Sequence, residues 1–563
     1  MHEKQQSFLA WAVALLTPLG YLFLYTPYGM DTTDFGYFYA YAWRILEGQV
    51  PYRDFYYIKP ALPLYWHALW MRLTPEGINV LAGKAGFVVE MLAASWFAAA
   101  FLNRWYRLEA LRLPLPLLAT CGFVWGVHSF PHMPWHTVDG IFFASWGLWA
   151  AVSGWPMLAG ILACCSMLCK QSFLFVPAGV ILLLFLCRPG RHDALRCLIG
   201  WLGTLVLVWG MLRLTGALPA FLRMTTGQLA VAEALDAGIY IYFRQSWWFV
   251  VAALTPWILS RFCKKRLPLF LEPGVVYLAL LAVWYIRETL LSRSWIGYGI
   301  SWPTLFVVLG GICVFFPKYF LVPWLRQTDS PHLYRRAAIG LGCALLLSWS
   351  VAISGGYKIP AFFATPLIFS FLLMHARLGS HVRELAWACL ATGLLIFGVG
   401  YQYPYVFPVR PMPRSALTLD AGEIYPKASG VMVDAAMYGR LKELKLLREK
   451  YGSVYKTMPG FSFAYYLNGD RPICLSDWLI DWEINAEADV VYQDLLDREI
   501  TVFMERDQLE TKKADSYDRA AYTVPQRVRH NWAVVEETQY FVVFRPPAPD
   551  RRKGTGRRGS GLP

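Results

Sequence analysis

Apolar runs about as long as a bilayer is thick constrain this chain more than anything else in it. Ser7 to Tyr25 is such a run, close to the ~20 residues an α-helix needs to cross a membrane. Others centre on 83–103, 113–130, 138–155, 157–169, 172–187, 197–215, 246–262, 268–287, 295–316, 335–353, 359–376 and 384–401. In lipid every backbone polar group must find its partner within the protein, so such runs fold as helices. Hydrophobic residues make up 56% of the 563 residues and charged residues 16%, against roughly 25% charged in soluble domains. Disorder, collagen, coiled coil and a single water-soluble core are excluded. The pattern predicts a polytopic α-helical membrane protein with about thirteen spans. The first run is too long for a signal-peptide core and has no convincing cleavage site, so it reads as a retained span. The short runs 157–169 and 172–187 read as a tight helix pair turning at Lys170-Gln171.

The net charge of +14 would suit a nucleic-acid partner, but a membrane protein collects Lys and Arg in its cytoplasmic loops. With the N-terminus inside, the inward loops carry Arg104/Arg107/Arg112, Arg188/Arg191/Arg196, Arg261/Lys264/Lys265/Arg266, Lys318 to Arg336, and Arg377/Arg383. Every strongly basic short loop falls on one side, so no nucleic-acid partner is expected. The segments 28–82, 216–245, 354–358 and everything after about 402 then lie outside, which predicts a multi-pass membrane protein with a cytoplasmic N-terminus. Most of the eleven cysteines sit within apolar runs, among them Cys164, Cys165, Cys169, Cys313 and Cys343, as small core residues do. Cys474 is alone in the C-terminal region, where a disulfide framework is not expected.

Residues 1–404 thus read as the membrane module, 405–548 as a small extracytoplasmic α/β domain, and 549–563 as a disordered basic tail. In the domain, 430–434 and 501–505 read as strands and 532–544 as a hairpin. Met437, Leu441, Leu444 and Leu447 keep helical spacing.

The chemistry lies in the first outer loop, DTTDFGYFYAYAWRILEGQVPYRDFYYIKPALP at 31–63. Tyr37, Ala40, Tyr41, Ile45 and Leu46 recur at helical spacing beside Arg44 and Glu47, predicting an interfacial amphipathic helix that Gly48 ends. Asp34 precedes that helix, where the plain alternative is an N-terminal cap. Asp54 and Lys59 alternate acid and base through aromatic residues. Taken singly, Asp54 reads as a structural ion-pair member and Lys59 as a snorkelling residue; together they read as a pocket at the bilayer rim.

These residues resemble the GT-C glycosyltransferases, in particular the bacterial branch near protein mannosyltransferases and the lipid A aminoarabinose transferase. The resemblance is carried by Asp34-Phe35-Gly36-Tyr37, Ala42 to Gly48, Pro51-Tyr52-Arg53-Asp54-Phe55 and Lys59-Pro60. Leu168-Cys169-Lys170-Gln171 resembles that family's lysine turn, and Tyr357-Lys358-Ile359-Pro360 with Pro366 its late outer loop. The resemblance implies a polyprenyl-phosphate-linked sugar as donor, a hydroxyl acceptor on a lipid, polysaccharide or protein, and an inverting transfer at the outer face. Such chemistry asks for a carboxylate base near the acceptor, here Asp34, with Asp54 as a second catalytic candidate. It also asks for cations where the leaving phosphate gathers charge, here Lys59, Lys170, Lys358 and Arg287, with Arg293 nearby. Tyr37, Tyr52, Tyr57, Gln171 and Tyr357 are the expected lining. Lys170 has the strongest physical argument, since an ionisable residue between apolar helices is costly without a function or a partner. Lys358 follows Ser354-Gly355-Gly356, where a plain loop residue is the alternative.

Two departures stand out. Phe35 takes the place of a second acid common in the family, and Ala61 that of a second proline. A hard cation prefers several oxygen ligands, so no divalent metal or other cofactor is predicted, although Asp31 lies close by in another register. His128, His132, His136 and Asp139 are too loosely spaced, with Pro131 and Pro134 between them, for a zinc site. A transporter or flippase would show internal repeats and midplane charges. An O-antigen ligase or polymerase would place its large loop late, and a scaffold would leave the first loop unexplained.

Overall fold

The computed structural model describes residues 3–106, 113–127, 130, 132–187, 191–226, 273–292, 382–404, 412–481, 483–484, 487–507 and 522–547, with single positions between 339 and 372. Helix α1 (Glu3–Leu24) turns Phe8, Trp11, Leu15, Leu16 and Phe23 outward and Ala10, Ala14 and Tyr21 inward. A helix with an apolar outer face suits lipid and not water. The first outer segment holds α2 (Asp34–Leu46) and α3 (Leu62–Leu73). Then follow α4 (Asn79–Tyr106), α5 (Leu115–Val127), α6 (His136–Val152), α7 (Pro156–Met167), α8 (Phe175–Cys187), α9 (His192–Leu214) and α10 (Leu218–Thr226). Pro273–Ser292 and Val382–Gly400 are also helical.

Among the described residues, Lys4–Leu24, Glu76–Trp105, His192–Leu214 and Val382–Gly400 are long and apolar enough to cross a membrane. Leu115–Val127, Pro156–Met167 and Gln171–Leu186 are shorter apolar helices. The expected runs at 246–262 and 295–316 lie outside the described residues. The runs at 335–353 and 359–376 are described at a few helical positions alone. Helix α5 is buried from Pro116 to Val127, and α7 crosses α9 where Gly160 meets the Cys197 backbone and Gly200 the Met157 backbone. A Cβ at either glycine would collide with a carbonyl, so the close approach depends on small residues.

The C-terminal segment forms a two-stranded ladder, β1 (Leu419–Asp420) with β2 (Met432–Val433). A second sheet has the order β3-β4-β6-β5, built from Tyr455–Met458, Thr501–Glu505, Ala533–Glu537 (β5) and Phe541–Arg545 (β6). β3 runs parallel to β4, and the other pairs are antiparallel. The helix Ala435–Tyr451 buries Leu441, Leu444 and Leu447, and Asp434 caps it through the Ala436 and Met437 amides. This segment begins its contact with the first loop at the loop's entrance, where the Gly29 amide donates to Met432 O at 2.8 Å and the Met432 amide to Pro27 O at 2.7 Å.

One expectation is overturned here. Helix α2 does not lie amphipathically on a membrane surface: Phe35 to Ala42 and Arg44 are all buried. One face packs Phe35, Tyr39 and Ala42 with Leu441, Leu444, Phe463 and Phe541. The other packs Tyr37, Phe38 and Tyr41 with Leu479, Ile484 and Phe544. The helical period was real, but the partner covering its polar side is a segment some 430 residues away in the chain (Arg44 to Asp477). Gly48 ends the helix as expected, in the left-handed region at φ +78°.

Candidate active site

Helix α2 begins at Asp34, and the turn before it is held by Asp31, whose Oδ1 accepts from both the Thr33 amide and the Thr33 hydroxyl at 2.7 Å. Capping of the helix start therefore does not fall to Asp34, and no described residue hydrogen-bonds its carboxylate. Asp34 keeps part of its surface open while lying deep among other side chains. That desolvation pushes its carboxyl up to about 6; Lys59 and Lys170 pull it down and Glu483 pushes it up. Burial, and then the charge of Asp34, pushes Asp31 up to about 7.

Lys59 lies on the irregular stretch of the loop that leads back to α3. The Tyr52 hydroxyl donates to its carbonyl at 2.7 Å, and Gln171 donates to the neighbouring Ile58 carbonyl at 2.5 Å. Tyr52 reaches that position with φ at +69°, a left-handed conformation costly for a bulky residue. Two residues expected to line the site thus grip the backbone on either side of Lys59. The Lys59 Nζ lies 2.5 Å from Glu483 Oε1, and the Tyr37 hydroxyl donates to Glu483 Oε2 at 2.8 Å. The same Nζ is 5.2 Å from the centroid of the Tyr37 ring, a cation–π distance.

Lys170 sits in the turn between α7 and α8, where its Nζ reaches the Thr137 hydroxyl at 3.4 Å. Burial pushes its amine down to about 7, and the positive charge of Lys59 acts in the same direction, while Asp34 and Glu483 oppose both. These four groups therefore feel one another: two carboxylates and two amines, brought from α2, the loop return, the α7–α8 turn and the C-terminal segment. The Tyr57 hydroxyl and both ring nitrogens of His136 are buried beside them without a hydrogen-bond partner among the described residues, and the charges of Lys170 and Lys59 act on His136. Buried polar atoms in that condition are costly unless a ligand satisfies them.

The structure does not bring every expected residue here. Both Asp54 oxygens accept from the Arg53 guanidinium, at 2.9 and 2.8 Å, and Oδ2 also accepts from the Val50 amide at 2.7 Å. Its charge is not among those acting on Asp34. Arg53 holds Asp54 below the usual carboxylate range. Arg287 is exposed on Pro273–Ser292, and its charge is not among those acting on Asp34 or Lys170. Tyr357, Lys358 and Arg293 lie outside the described residues, as does His128. His132 pairs with the Tyr21 hydroxyl and Asp139 with His67 at 3.1 Å, so the histidines disperse.

No protein-family profile matches this chain, and no curated protein does. Among solved structures it is similar to the crystal structure of ArnT from Cupriavidus metallidurans in the apo state. The identity is 12% and the TM-score 0.38, over 96% of this chain and 98% of that one.

Sequence reasoning missed Glu483. The one legible signal was an acid set among aromatic and aliphatic residues in DWLIDWEIN, where Leu479, Ile480 and Ile484 are fully buried. Asp54→Asn offers a simple check on the grouping. A partly exposed pair contributes about 0–1 kcal/mol, so the variant is expected to melt within about 1 kcal/mol of the parent and to keep its activity within about threefold. A loss on the scale of Asp34→Asn would place Asp54 back in the chemistry.

Proposed function

We propose that this protein is a membrane glycosyltransferase of the GT-C kind. It moves a sugar from a polyprenyl-phosphate donor to a hydroxyl acceptor at the outer face of a bacterial inner membrane, with residues 405–548 as its extracytoplasmic domain and the N-terminus in the cytoplasm. The observation that carries this reading is a carboxylate with no hydrogen-bond partner among the described residues, Asp34, under the influence of two lysines from separate parts of the chain. The loop motifs shared with GT-C enzymes supply the donor class.

In the reaction the acceptor oxygen attacks the anomeric carbon and its proton passes to Asp34 Oδ. The bond from that carbon to the phosphate oxygen breaks, and its electron pair leaves on the phosphate. Polyprenyl phosphate departs with one more negative charge than the bound diester carried. Lys170 and Lys59 offset that charge where it develops, which is worth more in a water-poor site than in bulk solvent. A single displacement inverts the anomeric centre. His136 and the Tyr57 hydroxyl supply polar contacts to donor or acceptor oxygens.

Deleting the gene and mass-analysing envelope lipids, glycans and proteins tests the whole reading. One sugar should disappear from one envelope component while its lipid-linked donor accumulates at the outer face; an unchanged envelope sinks the proposal. Lys170→Met is expected to lower transfer by about 10²–10³-fold, the usual cost of removing one charge-stabilising donor, with Lys170→Arg recovering part of it. Equal activity in the methionine variant would remove Lys170 from the site.

The pH dependence follows from Asp34. A base must be ionised, and its carboxyl is pushed up to about 6. Transfer should therefore fall about tenfold per unit below that pH, and it should fall again above about 7, where Lys170, its amine pushed down to about 7, loses the charge that offsets the leaving phosphate. A rate flat down to pH 4.5 would exclude this carboxylate as the base.

A further inference from the structure

We propose that Glu483 is a positioning residue of this active site, so that the C-terminal segment is a working part of the transferase and not an appendage. The inference rests on the glycosyl-transfer reading above and adds a residue to it.

The placement of Glu483 is built, not incidental. On α2, Arg44 reaches Asp477 in a fork, Nε to Oδ2 at 2.5 Å and Nη2 to Oδ1 at 3.0 Å. Lys456 of β3 lies 3.5 Å from the same carboxylate and donates to the Asp477 carbonyl at 2.7 Å. All three side chains are at most 1% exposed. Arg44 also donates to Cys474 O at 2.6 Å, Gln49 to Pro472 O at 2.7 Å, Trp43 to Asp470 O at 2.9 Å, and the Tyr56 amide to Leu475 O at 2.8 Å. The stretch 470–477 is thus sewn to α2 and to the loop after it. Glu483 follows six residues later, its amide donating to Ile480 O at 2.9 Å in a turn.

Both oxygens of Glu483 are then used on the site. One meets Lys59 and the other accepts from Tyr37, which stands one turn beyond Asp34 on α2. The carboxylate therefore ties the amine to the helix that carries the base, in a setting where Glu483 is 4% and Lys59 14% exposed. Without it, Lys59 would lose its one described ion-pair partner and its fixed direction. The charged and titratable groups facing Asp34 are Asp31, Lys59, Lys170 and Glu483, with His136 beside both lysines. Glu483 is a negative charge in that set and raises the Asp34 carboxyl, so removing it should move the acid limb of activity to lower pH.

Right-side-out membrane vesicles from the deletion host, carrying their own lipid-linked sugar and acceptor, supply the substrates without their having been identified. Full-length Glu483→Gln is expected to lose up to about 100-fold in maximal rate, the cost of misplacing a reacting group by about an ångström. Apparent KM should change less, and the acid limb should move to lower pH. In the purified full-length protein, the infrared carboxyl signal that Asp34→Asn removes should titrate at lower pH in Glu483→Gln as well. Glu483→Asp keeps the charge but shortens the reach, so its limb should stay near the parent's while its rate falls.

An unchanged rate in Glu483→Gln, or a lost rate with limb and infrared titration unmoved, overturns the proposal; the second result leaves Glu483 merely structural. If Glu483→Gln does not insert, parental activity in Glu483→Asp overturns it equally. An infrared shift in a protein that transfers nothing in any form would sink the glycosyl-transfer reading and leave the coupling of Glu483 to Asp34 standing.

Discussion

Asp34→Asn is expected to reduce transfer by about 10²–10⁴-fold, the range over which a positioned general base contributes, while the protein inserts and folds normally. The substitution is nearly isosteric, and no described hydrogen bond is lost with the carboxylate. Stability should even favour the variant. Because the folded state holds this carboxyl up at about 6, above the ~3.9 of an unfolded aspartate, its ionisation is a penalty to folding at neutral pH. Asparagine removes that penalty, so purified Asp34→Asn should melt at the same temperature as the parent or higher. The difference should vanish below about pH 4, where both states of the parent are protonated. A variant with full transfer would end the proposed role of Asp34; one with no transfer and a collapsed melting curve would say nothing special about catalysis. Activity lost while stability is kept or gained is the signature of a site whose function costs stability.

The second large effect concerns Arg44. Burial works against a charge on Asp477, yet Arg44, followed by Lys456, holds its carboxyl below the usual range. Arg44→Met leaves that buried carboxylate with Lys456 alone. Breaking one side of a buried ion pair costs about 3–5 kcal/mol, enough to show plainly in thermal unfolding of the purified protein. Because the same contacts bring Glu483 to Lys59, transfer should fall too, and the segment 470–484 should become sensitive to protease. Arg44→Met combined with Asp477→Leu should recover part of the stability, since apolar replacement of a whole buried pair is often tolerated. Parental stability in the single variant would show that the network is not what docks this segment.

The residues of the site were legible to different degrees, for physical reasons. Lys170 announced itself because an ionisable group between apolar helices is rare and costly without a reason, whereas Asp34 and Lys59 stood out through the acid-base-aromatic pattern of the first loop and its resemblance to the GT-C enzymes. Asp54 carried the same local signal, yet its carboxylate is occupied by the adjacent Arg53 and the Val50 amide. Tyr52 and Gln171 were visible as polar groups near the lysine, and the structure uses them to hold the backbone at Ile58 and Lys59. Arg44 was read as the wet face of an amphipathic helix, since a helical period shows which residues share a side and not what covers it.

What the chain determines by itself is its solvent and its elements. Long apolar runs demand lipid, the strands 501–505 and 532–544 and the helix carrying Leu441 and Leu444 follow from local periodicity, and Asp34 and Lys59 in the first loop and Lys170 between two apolar helices stand out as unusual. Tertiary structure alone decided that α2 is buried on both sides, that Asp54 is engaged elsewhere, and that an acid from the far end of the sequence meets Lys59. The reason is that periodicity and burial cost act over a few residues, whereas a contact between positions 59 and 483 is set by how separately folded pieces close on one another.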